Sequence, residues 1–477
     1  MRDIYANAER VIAFLGRHCY FTNELFDCLC SSQFDLRKEI ITAMTPSATR
    51  GLHEVLNRPY WTRAWIIQEI ASARRVHVAC GNKLLEWSKF IRILEDENIK
   101  KLLQSDWPSN QSPLHHVVEI DKHRKQSPMP LMRSLRLTRS ARSSDPRDGI
   151  YAKLGLALDG SYYFVQPDYS QTVELIAHIF TKLYIEMTYD LYIICFVEGT
   201  DQQLFSWVPD WTRTEGRWPL MPLYTEPVWS GSNIGLPRPQ TTFSMDLRTI
   251  SVLGARLDII GQFAPTAHNM PSCALDATSM LSTICETVTA CFDELPVFSV
   301  HHERLFRNSR RFAKIFALRA SSLDQLWQKT RNPTTSSAST VSSMDFTACY
   351  STNRTVKIGR QTLSEWIAEY VSFPGRRLEE PDELITTDVL MRAIALTTWK
   401  RQLSGTAAGR PILAPEAARP GDMVCWLYGC PVPVVLRKQM DHCVLVGECY
   451  VSGLINGTMV AEMRSLGRLE ETIFNIR

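Results

Sequence analysis

The spacing of apolar residues changes along this chain, and that change limits the folds open to it. Through residues 1–190 apolar positions recur with the helical period between short strand-like runs. Near the C-terminus they alternate in short segments bounded by turn residues. At 477 residues the chain also exceeds what one hydrophobic core organises, since single cores stop growing at roughly 250 to 300 residues. Two or three domains are therefore expected, the first mainly α/β and the last β-rich. Hydrophobic residues make up 45% and charged residues 22%, the proportions of a folding globular chain rather than a disordered one.

Ile4, Ala8, Val11 and Ile12 can share a helical face, or Val11 to Leu15 can form a buried strand; both readings end at Gly16. Asn57 can cap, Pro59 suits a first turn, and Trp61, Ala64, Trp65 and Gln68 follow at helical spacing, which predicts a helix over 57–73. A strand over 75–81, a Gly-Asn turn and a helix opened by Trp87 come next. Asp145-Pro-Arg-Asp148 predicts a helix start, with Ile150, Tyr151, Leu154 and Leu158 on the buried face. A further helix follows Ser170, with Val173, Ile176, Ala177, Phe180 and Tyr184 at matching spacing. Strands are expected over 247–253, helices near 275–330, an exposed Ser/Thr-rich linker at 334–343, helices again to about Arg401, and short strands at 422–427, 432–436 and 443–451. These features divide the chain into residues 1–160, an α+β region 161–333, the linker 334–343, and a helical segment plus β-rich unit 344–477.

The formal charge of +3, from 53 basic and 50 acidic residues, supplies no sustained basic stripe, so nucleic acid is not expected as a partner. The densest basic stretch, with Arg133, Arg136 and Arg139 at helical spacing, reads as a solvated face, with a site for one acidic or phosphate group as the alternative. The 13 cysteines have no repeated short spacing, which points to a reducing compartment and a cytoplasmic protein. No signal-peptide pattern opens the sequence, and the longest apolar run, Leu191-Tyr-Ile-Ile-Cys-Phe-Val197, is far below the ~20 residues of a membrane-spanning helix.

Four separated segments, in order, resemble signatures of the fungal heterokaryon-incompatibility (HET) family: Ile4-Tyr-Ala-Asn-Ala-Glu-Arg-Val-Ile-Ala-Phe-Leu-Gly16, Arg58-Pro-Tyr-Trp-Thr-Arg-Ala-Trp-Ile-Ile-Gln-Glu69, Asp145-Pro-Arg-Asp-Gly-Ile-Tyr-Ala-Lys-Leu-Gly-Leu156 and Pro167-Asp-Tyr-Ser170. Trp207-Val-Pro-Asp-Trp211, Pro420-Gly-Asp-Met-Val-Cys425, Val435-Leu-Arg437 and Val446-Gly-Glu-Cys-Tyr-Val-Ser-Gly453 are similar to later parts of such proteins. The motifs that usually open a HET domain, of the Tyr-x-Ala-Leu-Ser-Tyr-x-Trp-Gly and Trp-x-Asp-Ala-x-Cys-Ile-Asn-Gln types, do not occur. The resemblance therefore implies a domain without its first half, unless upstream sequence precedes Met1. It further implies a partial, doubly wound α/β domain like that of Toll/interleukin-receptor (TIR) proteins, and a role in self/non-self recognition linked to programmed cell death. Association with a protein partner or another copy is expected, without a cofactor.

The sharpest chemical expectation concerns Glu69. Some TIR domains hydrolyse NAD with a glutamate four residues after a tryptophan, and the resemblance carries this onto Trp65 and Glu69. On one helix Trp65 and Trp61 would share a face with Glu69, screen its carboxylate and raise its pKa. The carboxylate would then stabilise an oxocarbenium-like centre or position ribose hydroxyls, with NAD as substrate. That chemistry is the alternative; the first reading is that Glu69 pairs with Arg63, Arg74 or another arginine and only holds its helix, in a protein that is non-catalytic in this truncated form. Asp145 and Asp148 read as helix-start residues rather than an acid/base pair. Cys425, Cys430, Cys443 and Cys449 have gaps unlike a zinc ribbon, and His115-His116 and His301-His302 read as surface residues. No nucleophile elbow, phosphate loop or His-Glu-x-x-His motif occurs.

Overall fold

A computed structural model describes residues 2–30, 44–96, 113–126, 131–137, 141–157, 167–199, 204–213, 236–261 except 238, 353–372 except 359, 400–451 and 457–477, with isolated residues between them. The expected linker at 334–343, Leu158, most of the helices expected over 275–330, and His301 and His302 lie outside the described residues, as do the side chains of His115, His116, Arg133 and Arg136. Helices and strands are mixed throughout, in two compact units: residues 1–180 with 211–216, and residues 181–210 with 217–477.

The first unit opens with α1 (Arg2–Asn7) and β1 (Val11–Phe14), so the strand alternative holds for residues 11–14. Val11 and Ala13 face the core while Ile12 and Phe14 are 46% and 54% exposed. The chain then crosses through α2 (Tyr20–Cys30), α3 (Pro46–Leu56), a 3-10 turn (Pro59–Thr62) and α4 (Trp65–Ala71) before β2 (Val76–Cys80). β2 pairs in parallel with β1, Val11 opposite Val76, as a helical crossover requires. β3 (Lys83–Glu86) returns antiparallel after a turn at Gly81. Gly81 has φ +58°, a left-handed backbone that favours glycine. Then follow α5 (Trp87–Glu95), α6 (Pro113–Gln126), α7 (Leu131–Leu137), α8 (Asp148–Leu154) and α9 (Val173–Thr188), the first part of α9 belonging to this unit.

The helix expected over 57–73 is not continuous. Asn57 is the C-cap of α3, and Arg63 is extended (φ −78°, ψ 135°) between the 3-10 turn and α4. The cause lies elsewhere in the chain: Arg63 bridges to Arg142, and the Ala64 amide donates to the Arg142 carbonyl at 2.7 Å. A distant backbone thus overrides a local helical pattern. Arg124 of α6 meets the other end of α4, donating to the Ile70 carbonyl at 2.8 Å, to Arg74 at 2.9 Å and to Ala73. A guanidinium there satisfies orphan carbonyls at the negative end of the helix dipole.

In the second unit, β5 (Ile250–Ile259) pairs with β4 (Thr241–Phe243), β10 (Met423–Leu427) and β14 (Glu471–Ile476). β11 (Val434–Lys438) and β12 (Cys443–Glu448) continue from β10 as an antiparallel meander, and β12 meets β14 in parallel at Cys443 and Ile476. The circuit β5-β10-β11-β12-β14 therefore closes into a small barrel. Closure brings β5 against β10 at Gly254, where a Cβ would lie 2.4 Å from the Trp426 carbonyl oxygen. Ser206 fills the seam where β12 and β14 diverge, donating to the Arg477 carbonyl at 2.5 Å and accepting from the Leu445 amide at 2.9 Å.

A hairpin, β6 (Lys357–Ile358) and β7 (Gln361–Thr362), leads into α10 (Leu363–Val371). β8 (Arg401–Gly405), β9 (Pro411–Pro415) and β13 (Tyr450–Val451) form a second antiparallel sheet, and α11 (Thr458–Ser465) precedes β14. The buried cluster contains Trp426, Tyr428, Val435, Val446, Ile412 and Val460. Helix α10 starts with a full capping box, Thr362 accepting from the Glu365 amide while the Glu365 carboxylate accepts from the Thr362 amide at 2.7 Å. Thr362→Ala is expected to cost about 1 kcal/mol in urea unfolding.

Candidate functional site

Glu69 lies near the end of α4, half-buried. The break at Arg63 sends the two tryptophans to different places. Trp61 is fully buried, its indole stacked on Phe90 (centroids 5.8 Å, planes 12° apart) and its N–H donating to the Val55 carbonyl at 2.8 Å. Trp65 donates its indole N–H to Asp148 Oδ2 at 2.9 Å. The expected stack is therefore corrected for Trp61, which lies in the 3-10 turn, while Trp65 and Glu69 share α4.

Phenols, not indoles or an arginine, hold the Glu69 carboxylate. Tyr60 donates its hydroxyl to Glu69 Oε2 at 3.3 Å, and Tyr5 hydrogen-bonds the same side chain. Burial, then the Glu69 charge, push both phenol pKa values up, with Arg63 acting in the opposite sense. Both hydroxyls remain donors at neutral pH, which orients the carboxylate as an acceptor. Among the described residues no cation lies within ion-pair distance of Glu69. Two surface grooves among the described residues both leave it outside their lining. A groove of about 500 Å³ is lined by Trp87, Arg92, Glu95, Asp121, Arg124 and Lys125, and one of about 470 Å³ lies between the β11–β12 turn and β14.

Asp148 is 8% exposed and sits in the first turn of α8. Besides Trp65 it accepts the Tyr169 hydroxyl at 2.7 Å on Oδ1. Burial first, then this bond and the charge of Asp148, push the Tyr169 phenol pKa up. The helix begins three residues after Asp145 rather than at it. Asp145 accepts the Arg147 amide at 3.0 Å and pairs with the Arg147 guanidinium at 2.6 Å, an Asx-type turn. This pairing holds the Asp145 carboxyl below its ordinary range. Arg147 also donates to the Tyr169 and Gln171 carbonyls, and Tyr151 meets the Asp168 backbone at 3.1 Å. Asp145-Pro-Arg-Asp148 and Pro167-Asp-Tyr-Ser170 are thus two halves of one clasp, an arrangement that no spacing in the sequence reveals.

The C-terminal segments show the same habit. Arg437 grips Asp422 with two bonds, Nε to Oδ1 at 2.9 Å and Nη2 to Oδ2 at 2.8 Å. Trp207 is fully buried and donates to the Arg248 carbonyl at 3.2 Å. Glu448 and Arg401 form a 2.7 Å ion pair whose side chains have no exposure, and both Glu448 oxygens accept the Leu220 amide at 3.0 Å. This pair was not anticipated; its one signal is an acidic residue inside the apolar run around Val446. Cys425, Cys430, Cys443 and Cys449 are buried free thiols, and among the described residues no group of three His, Cys, Asp or Glu is placed to hold a metal ion. No described helix is long and apolar enough to cross a membrane.

The arrangement defines a mixed α/β chain whose motif residues bind its own backbone and side chains. Residues 1–69 match the family model described as heterokaryon incompatibility protein (HET), so the chain carries HET-type sequence over that span. The match covers the first two motif segments and ends at Glu69. No curated protein and no solved structure is found to match.

Proposed function

We propose that this chain is a HET-type protein of cytoplasmic self/non-self recognition, acting in cell-death signalling as an interaction module that binds a protein partner or another copy of itself, without a cofactor and without catalysis at Glu69. The observation that carries this reading is the engagement of the motif side chains. Trp65, Asp148, Tyr169, Arg147 and Tyr151 hold one another and the adjoining backbone. Side chains so committed position a surface and leave little free for chemistry.

A second reading is an NAD-hydrolysing, TIR-like effector using Glu69, with Trp65 in support. What favours it is the half-buried carboxylate oriented by Tyr5 and Tyr60. A doubly wound, TIR-like sheet would need more parallel strands beside β1. That strand lies at the sheet edge with Ile12 and Phe14 exposed, so another subunit could complete it.

One experiment separates the two: NAD turnover by the purified chain at high protein concentration, wild type against Glu69→Ala, with sedimentation of the same samples. The interaction reading predicts no turnover above buffer in either protein, and self-association or partner capture that Glu69→Ala leaves intact. Turnover that falls at least a hundredfold in a folded Glu69→Ala protein would replace it with the enzymatic reading.

A further inference from the structure

We propose that Cys195 and Cys430 form an oxidisable dithiol, which a hydroperoxide converts into a disulfide that fastens the 3-10 segment Tyr192–Phe196 to the turn after β10. Their sulfurs are 3.7 Å apart, and both residues have no exposure.

The backbones that carry them are already fastened together. The Leu191 amide donates to the Gly429 carbonyl at 2.9 Å, one residue before Cys430. The Cys430 amide donates to the Leu427 carbonyl at 2.9 Å, and the Ile194 amide to the Leu191 carbonyl at 3.0 Å. A disulfide needs the sulfurs at about 2.05 Å. Bond formation has to close the sulfurs to that length from 3.7 Å.

The chemistry balances with one equivalent of peroxide. One thiolate attacks the peroxide: a sulfur–oxygen bond forms, the oxygen–oxygen bond breaks, and the leaving hydroxide or alkoxide takes a proton. The second thiolate attacks that sulfenic sulfur, the sulfur–sulfur bond forms, and hydroxide leaves as water. Two thiols are oxidised, one peroxide is reduced, and water with water or an alcohol is released. Burial, then the neighbouring Cys430, Glu448 and Asp190, raise the pKa of the Cys195 thiol. The reaction is accordingly slow beside that of an exposed thiol such as Cys30. The neighbouring sulfur, by contrast, traps the sulfenic acid before a second peroxide reaches it.

The test is a non-reducing peptide map of the full chain after hydrogen peroxide, with free thiols alkylated in denaturant at successive times. The expected result is a linked peptide containing Cys195 and Cys430, accumulating after Cys30 has reacted, together with a rise in the thermal unfolding midpoint that dithiothreitol reverses. Cys430→Ser should abolish both the linked peptide and the shift. Recovery of Cys195 and Cys430 as separate thiols or sulfinic acids while Cys30 is consumed would overturn the proposal, as would Cys195 linked to any other cysteine. The wild-type map decides the matter even if the variant folds poorly.

Discussion

Replacing Glu448 with alanine should destabilise the second unit by about 3–5 kcal/mol, the range for breaking a buried ion pair from one side. Glu448 and Arg401 are both without exposure, and the Leu220 amide is bound to the same carboxylate. Alanine would take the carboxylate away from a buried guanidinium and a buried backbone N–H. Urea unfolding followed by tryptophan fluorescence measures the loss, because Trp426 is in this unit's buried cluster. The double variant Glu448→Leu with Arg401→Leu should recover most of that stability, since removing both charges leaves neither unpaired. A single-variant loss below about 1 kcal/mol would show that water reaches the pair.

Asp148→Ala should cost the first unit about 3 kcal/mol, because one side chain accepts both the Trp65 indole and the Tyr169 hydroxyl and hydrogen bonds to a charged group are worth roughly 1.5–3 kcal/mol each. The loss is local as well as global. With Tyr169 released, the segment 167–171 keeps the Arg147 and Tyr151 contacts among the described residues, so protease cleavage within it should accelerate. Asp148→Asn should lose less, as an amide oxygen still accepts one of the two donors. An alanine variant as stable as wild type, with the segment equally protected, would mean that the clasp rests on Arg147 and Tyr151. Glu448→Ala touches neither Glu69 nor Trp65, whereas Asp148→Ala releases the Trp65 indole, so the NAD experiment is kept to Glu69→Ala.

Much of the local structure is legible in the sequence. The alternation around Val76 and Val78, the turn glycine at 81 and the helix opened by Trp87 all lie where periodicity put them. So do the strands at Met423, Val434 and Cys443. The candidate site was legible only in part. Glu69 is on a helix as expected, but its neighbours Tyr5 and Tyr60 were not foreseen, because one comes from α1 and the other from a 3-10 turn that the helical pattern concealed.

The sequence by itself determined the mixed α/β character, most element starts and the HET resemblance, since these depend on local sterics, on which face of an element is apolar, and on ordered motifs. Tertiary structure alone decided the break at Arg63, the clasp on Asp148, the closure of β5 onto β10 and β14, and the pairing of Glu448 with Arg401. Each of these joins groups far apart along the chain. A residue's type states what kind of partner it requires, but only the folded backbone brings one particular partner within hydrogen-bonding distance.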